Sequence, residues 1–181
     1  IWAEQVPRFT QDGASVRVVA GQWFDTKAPA PPSASWAYNP ENEVGLFIIN
    51  IDQGGSVELP IGSSEVNRML YHIDGHEALV DGQTLKAKHG MELRADVATT
   101  LSAPDADVRV LVLQGRPIKE PVVQHGPFVM NTRDEIYQAF SDYQRTEFGG
   151  WSWGASDIVH PREQKRFAKM GDGRLETPTS E

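Results

Sequence analysis

The feature that most constrains this fold is an evenly spaced series of short strand-forming runs, each closed by a turn. Val16-Arg17-Val18-Val19-Ala20 stops at Gly21, and Val44-Gly45-Leu46-Phe47-Ile48-Ile49-Asn50-Ile51 runs up to Gln53-Gly54-Gly55. Asn67-Arg68-Met69-Leu70-Tyr71-His72-Ile73 is closed by Asp74-Gly75. Leu79-Val80 and Thr84-Leu85 flank Asp81-Gly82, a pair that tolerates the two positive-φ positions of a tight hairpin. His89-Gly90 marks a further turn, and strands are expected at residues 91–94, 97–101 and 108–113. Short strands punctuated this way build an antiparallel sandwich or barrel, not βαβ units. The run 44–51 is apolar on both faces of a period-2 pattern, which calls for cover on both sides.

The rest of the chain follows other rules. Residues 25–43 hold four prolines with Ser33, Ser35 and Asn39, and read as a long irregular loop. Thr132-Arg133-Asp134-Glu135 fits a capping box, after which Ile136, Ala139, Phe140 and Tyr143 share one helical face. Gly149-Gly150 is expected to stop that helix. The final stretch is rich in Pro, Gly and charge, and reads as an extended tail. The predicted organisation is a linker at 1–15, a barrel at 16–118, and a helix with its tail at 119–181.

Composition narrows the functional classes. Cysteine is absent from the 181 residues, which removes disulfides, thiolate ligands and thiol nucleophiles. A net charge of −8 argues against a phosphate-binding face, so direct nucleic-acid binding is not expected. No apolar run reaches the ~20 residues a membrane span needs. Ile1-Trp2-Ala3-Glu4 lacks the basic start and apolar run of a signal peptide, and the expected location is cytoplasmic. A first residue other than Met suggests that an upstream segment has been lost.

The strand spacing suggests a cupin barrel, whose metal sites use a His pair, a Glu and a third His projecting inward. Counting from Tyr71-His72-Ile73-Asp74-Gly75, the His pair falls near 62–64 and the Glu position near Arg68. The third His position falls near Thr99 or Thr100. None of these holds a ligand, and a buried Arg there would repel a cation. His72, His76 and His89 are an alternative metal set, with Asp74 and Glu77 between them; the competing reading has His72 and His76 straddling a turn, facing solvent or a carbonyl. His125 and His160 read as structural hydrogen-bonding groups. Glu41 and Glu43 read as solvated carboxylates, and Arg162, Lys165, Arg166 and Lys169 as a tail docking on an acidic face. Trp2, Trp23, Trp36, Trp151 and Trp153 are numerous, and three lie near the termini or tail, where indoles often anchor an interface. There is no Gly-rich phosphate loop and no Gly-x-Ser-x-Gly elbow.

Gly126-Pro127-Phe128-Val129-Met130-Asn131-Thr132-Arg133-Asp134-Glu135-Ile136, running into Gln138-Ala139-Phe140 and Asp142-Tyr143-Gln144, resembles the C-terminal signature of the pirin family. Arg17-Val18-Val19-Ala20-Gly21, Asn67-Arg68-Met69-Leu70-Tyr71, and Arg166-Phe167-Ala168 with Asp172-Gly173-Arg174 agree in order. Ile1-Trp2-Ala3-Glu4-Gln5-Val6-Pro7 is similar to the segment joining the two halves of bacterial-type pirins. The resemblance implies an all-β, cupin-type double-stranded β-helix with one C-terminal helix. It also implies a two-barrel parent, in which iron or a similar divalent metal belongs to an N-terminal barrel that this chain lacks. No cofactor and no catalytic residue is then expected here. Pirin relatives are associated with quercetin 2,3-dioxygenase activity and with regulation of transcription factors, both properties of the metal-bearing half. The resemblance points to Phe128, Val129, Met130, Ile136, Phe140 and Tyr143 as the inter-barrel face, or as cover for this domain's own barrel. An isolated half would expose an apolar face that favours a homodimer.

Overall fold

The computed structural model describes residues 1–151, 163–170 and 172–178. These fall into two compact units, Ile1–Pro117 and Ile118–Pro178.

The first unit is built of antiparallel strands. In chain order they are β1 (Arg8–Gln11), β2 (Ala14–Ala20), β3 (Gln22–Trp23), β4 (Thr26–Lys27), β5 (Gly45–Ile51) and β6 (Ser56–Leu59). They continue with β7 (Asn67–Gly75), β8 (Ala78–Val80), β9 (Gln83–Leu85), β10 (Gly90–Arg94), β11 (Thr99–Ser102) and β12 (Val108–Gly115). One sheet has six strands in the order β1-β2-β5-β12-β7-β10, and another has four in the order β6-β11-β8-β9. Alternation puts Val16, Val18, Phe47, Ile49, Leu70, Val110 and Val112 of the larger sheet into one cluster with Val57, Leu59, Val80 and Leu101 of the smaller. Each such side chain contributes about 1.5–3 kcal/mol on burial, so this cluster carries the fold.

Several expectations hold here. Asp81 (φ 47°) and Gly82 (φ 82°) both take the left-handed conformation in the β8–β9 turn, and Asp81 Oδ1 accepts from the Thr100 amide at 2.8 Å. Residues 25–43 are irregular apart from β4 and two short 3₁₀ turns, Trp36–Tyr38 and Pro40–Asn42. Trp23 is fully buried, edge-on to Phe47 at 5.0 Å, and so is a core residue. Residues 1–15, read from the sequence as a linker, contain β1, which pairs with β2 along the edge of the larger sheet.

The second unit contains the hairpin β13 (Val123–His125) and β14 (Phe128–Met130), helix α1 (Arg133–Thr146), and a ribbon of β15 (Ala168–Lys169) and β16 (Leu175–Glu176). The expected capping box is present: Thr132 Oγ1 accepts from the Glu135 amide at 3.3 Å, and Glu135 Oε2 accepts from the Thr132 amide at 2.7 Å. The Thr132 hydroxyl and amide, with the Asn131 amide, hold the Glu135 carboxyl below its usual range. Thr132→Ala is therefore expected to cost about 1 kcal/mol, read by denaturant titration against the parent chain. The helix ends earlier than Gly149-Gly150 implies. Glu147, left-handed at φ 49°, caps α1 by donating its amide to the Tyr143 carbonyl.

Candidate ligand site at one end of the first unit

Strand β7 alternates so that Arg68, Leu70 and His72 all point inward. Leu70 belongs to the core, and Arg68 is only 1% exposed. A buried guanidinium is costly unless its donors find acceptors. Its partners come from elements that meet where β7 begins and β12 ends. Gln114, opposite Arg68 in the β12–β7 register, accepts from Arg68 Nε at 2.9 Å. The Pro60 carbonyl accepts from Arg68 Nη2 at 2.7 Å. Arg68 Nη1 is buried with no partner. Burial pushes the Arg68 pKa down, and the neighbouring Glu43 carboxylate partly offsets this.

Glu43 is the hub of the cluster. Its Oε2 accepts from the Ser63 amide at 3.0 Å, and its Oε1 lies 3.9 Å from Arg116 Nη2. Its carbonyl accepts from Gln114 Nε2 at 3.3 Å. Arg116 makes a shorter pair with Glu65, Nη1 to Oε2 at 2.6 Å, while its Nε and the Ser63 hydroxyl are buried without partners. The backbone of Arg116 is held too, its amide on the Asn42 carbonyl at 2.8 Å and its carbonyl on Trp36 Nε1 at 3.1 Å. An open cleft of about 640 Å³, lined by Pro40, Glu41, Glu43 and Arg116, faces solvent here.

These are the positions at which cupin counting placed a metal site. Gly62 and Arg68 are adjacent, since a Cβ on Gly62 would sit 3.6 Å from Arg68 Nη2 and 3.0 Å from Glu43 Oε2. Ser64 is exposed, Thr99 is buried with its hydroxyl 3.4 Å from the Val97 carbonyl, and Thr100 is exposed. A guanidinium fixed by Gln114 and the Pro60 carbonyl does not fit a divalent metal, because it sets a permanent cation beside the place where the metal would bind.

The histidines are arranged differently. His72 is 7% exposed, with Nε2 2.6 Å from the His76 carbonyl and Nδ1 buried without a partner. Its amide donates to the His89 carbonyl at 2.9 Å, which brings these backbones together. The His76 and His89 side chains are exposed, and His89 Nδ1 is 2.9 Å from the Ala87 carbonyl. Among the described residues, no group of three or more His, Cys, Asp or Glu side chains is placed to hold a metal. His125 meets the Phe140 ring edge-on at 5.5 Å; His160, Trp153 and Arg162 lie outside the described residues.

In the second unit Phe128 packs edge-on against Phe140 at 4.8 Å, with Tyr143 and Phe148 closing an aromatic cluster. Ile136 is 3% exposed and already covered, whereas Val129 and Tyr143 are exposed and Phe128, Met130 and Phe140 are half-buried.

Sequence reasoning marked Arg68 and the 62–64 stretch that holds Ser63, but it read Glu43 as a solvated carboxylate and named neither Gln114 nor Arg116. It also left unnamed an apolar strip on the outer face of the larger sheet. Register aligns Met69, Leu113 and Leu46 in one rung, and Tyr71, Leu111 and Ile48 in the next. Tyr71, Ile73 and Leu113 are exposed. The signal was there, in the two-sided apolar pattern of residues 44–51.

The family model of the pirin C-terminal cupin domain matches residues 46–149. A pirin-like protein of Caulobacter vibrioides is 43% identical over 147 residues, covering 80% of this chain and 50% of that protein. Mouse (Mus musculus) pirin is 31% identical over 151 residues, covering 81% of this chain and 49% of its own length. A crystal structure of quercetin 2,3-dioxygenase from Acinetobacter baumannii superposes with a TM-score of 0.69 at 27% identity, over 82% of this chain and 49% of that one. The chain thus spans about half the length of the curated relatives it matches.

Proposed function

The chain belongs to the pirin family, as its C-terminal cupin domain, and on that premise we propose that it is the metal-free half of a two-barrel, quercetin 2,3-dioxygenase-like oxygenase. The observation that carries this reading is the buried Arg68 guanidinium, close to where counting along the sequence puts the carboxylate ligand of a metal-binding cupin. Iron or a similar divalent metal then belongs to an N-terminal barrel of the same cytoplasmic protein, and oxygen chemistry with it. Within this chain, the second barrel takes in residues 16–118 together with β1 and the start of β2 from the segment 1–15, and 119–181 supply the helix and tail.

The role of the metal-free half is to cover and orient its partner. Two apolar surfaces suit an N-terminal barrel: the outer strip of Leu46, Ile48, Met69, Tyr71, Leu111 and Leu113, and the hairpin–helix face. On the latter, Val129 and Tyr143 offer exposed contact area, beside Phe128, Met130 and Phe140, with Ile136 beneath them. A continuous strip of this kind is uncommon on a surface that stays in water. In isolation, the same strip would pair two copies of the chain.

Metal content tests this reading. After exposure to iron, manganese, nickel and zinc, elemental analysis is expected to find near-zero metal in this chain and about one ion per full-length protein. Stoichiometric metal in the chain, lost on replacing His72 or His76, would overturn the proposal and make it an enzyme by itself. A second reading, a regulatory protein-binding module, is favoured by the relatives named pirin. A full-length protein that binds iron yet turns over no flavonol would select it.

A further inference from the structure

We propose that Ser63, Arg68 and Arg116 form a binding site for a small monocarboxylate, entered from the cleft beside Glu43. Three donors at this end of the first unit are buried and unpaired: Arg68 Nη1, Arg116 Nε and the Ser63 hydroxyl. Orphaned buried donors are rare, because each forgoes a hydrogen bond it would make in water. Two of the three can only donate, so any partner they take is an acceptor.

The surrounding charges set its class. The Arg68 and Arg116 cations are balanced by Glu43 and Glu65, leaving a site without excess charge. A monoanion adds one negative charge opposite two guanidiniums, whereas a dianion such as phosphate adds a second against the Glu43 carboxylate. Planar carboxylates also match the guanidinium fork.

Glu43 already behaves as an internal carboxylate ligand. It sits between the two guanidiniums, held by the Ser63 amide at 3.0 Å but only loosely by Arg116 at 3.9 Å. An incoming carboxylate competes with it for Arg116 and reaches donors that Glu43 leaves unpaired. The cleft lined by Pro40, Glu41, Glu43 and Arg116 opens to solvent beside this cluster, and its volume of about 640 Å³ is large enough for a small organic acid at Arg116.

The test is a propionate titration of full-length protein, kept diamagnetic with zinc and labelled with ¹⁵N-arginine, following the Nε–H signals of Arg68 and Arg116 at constant ionic strength. Both signals are expected to move together and saturate. Arg116→Lys keeps the charge but removes the unpaired Nε–H, and is expected to weaken binding about tenfold, read on the Arg68 signal. Glu43→Gln removes the internal competitor and is expected to tighten it. Absence of a saturable shift, or unchanged affinity in Arg116→Lys, would overturn the site. Weaker binding in Glu43→Gln would overturn the competition, and inorganic phosphate binding more tightly than propionate would overturn the monocarboxylate class. Propionate held by a metal elsewhere in the protein would leave these two signals unmoved.

Discussion

Arg68→Ala is expected to lower the stability of this domain by about 3–5 kcal/mol, a large share of the 5–15 kcal/mol that holds a typical domain folded. Two effects add. Truncation removes a long side chain that is 1% exposed, leaving a void whose walls lose their contacts. It also strands Gln114 Oε1 and the Pro60 carbonyl, each of which loses a charge-assisted donor. Opposing them is the relief of a cation that burial already disfavours. Arg68→Met separates the contributions, since it keeps most of the volume and discards the charge. It is expected to be milder, because a buried ionic group can be exchanged for a well-packed apolar one at little loss. The measurement is urea unfolding of the three proteins at one pH. A cost below about 1 kcal/mol for Arg68→Ala, the range of surface substitutions, would mean that the guanidinium is not part of the packed interior.

Gly75→Ala carries the second large effect, expected at about 2–4 kcal/mol. Gly75 ends β7 at φ 89°, where an L side chain is strained whatever room it has. There is no room either: its Cβ would lie 2.3 Å from the Asp107 carbonyl oxygen and 3.0 Å from Val108 Cα. That carbonyl accepts from the His76 amide at 3.1 Å, and the Asp107 side chain holds the Gln53 amide at 2.8 Å. Making space would therefore disturb the start of β12 and the turn carrying His76. Gly82→Ala is the control. Gly82 also has positive φ, but nothing lies within 4 Å of its Cβ position, so only the backbone cost of about 1–2 kcal/mol remains. Thermal unfolding of both variants isolates the steric part. Equal losses would mean that the β12 backbone yields freely.

What the sequence determined by itself was mostly what neighbours along the chain govern. The Asp81-Gly82 hairpin and the Thr132–Glu135 cap are set by residues a few positions apart, and both formed as the sequence implied. Period-2 alternation likewise places Arg68 on the same face as Leu70, so the burial of that cation was legible. The helix stop was less so. Glu147 took the left-handed cap ahead of Gly149, a choice between nearly equivalent endings that depends on packing more than on local preference.

The surroundings of Arg68 were decided only in three dimensions. Alternation tells which face a residue takes, but not which strand lies beside it or at what register. The order β5-β12-β7 joins strands far apart in sequence, and that order sets Gln114 opposite Arg68 and Gly45 opposite Gln114. Glu43, Ser63 and Arg116 then arrive on the loops and chain segments at that same end of the strands. Counting along the chain brought 62–64 and 68 together, but no spacing announces that 43, 114 and 116 join them. Pairing of distant strands is chosen by the whole core closing at once, and the polar cluster is a consequence of that closure.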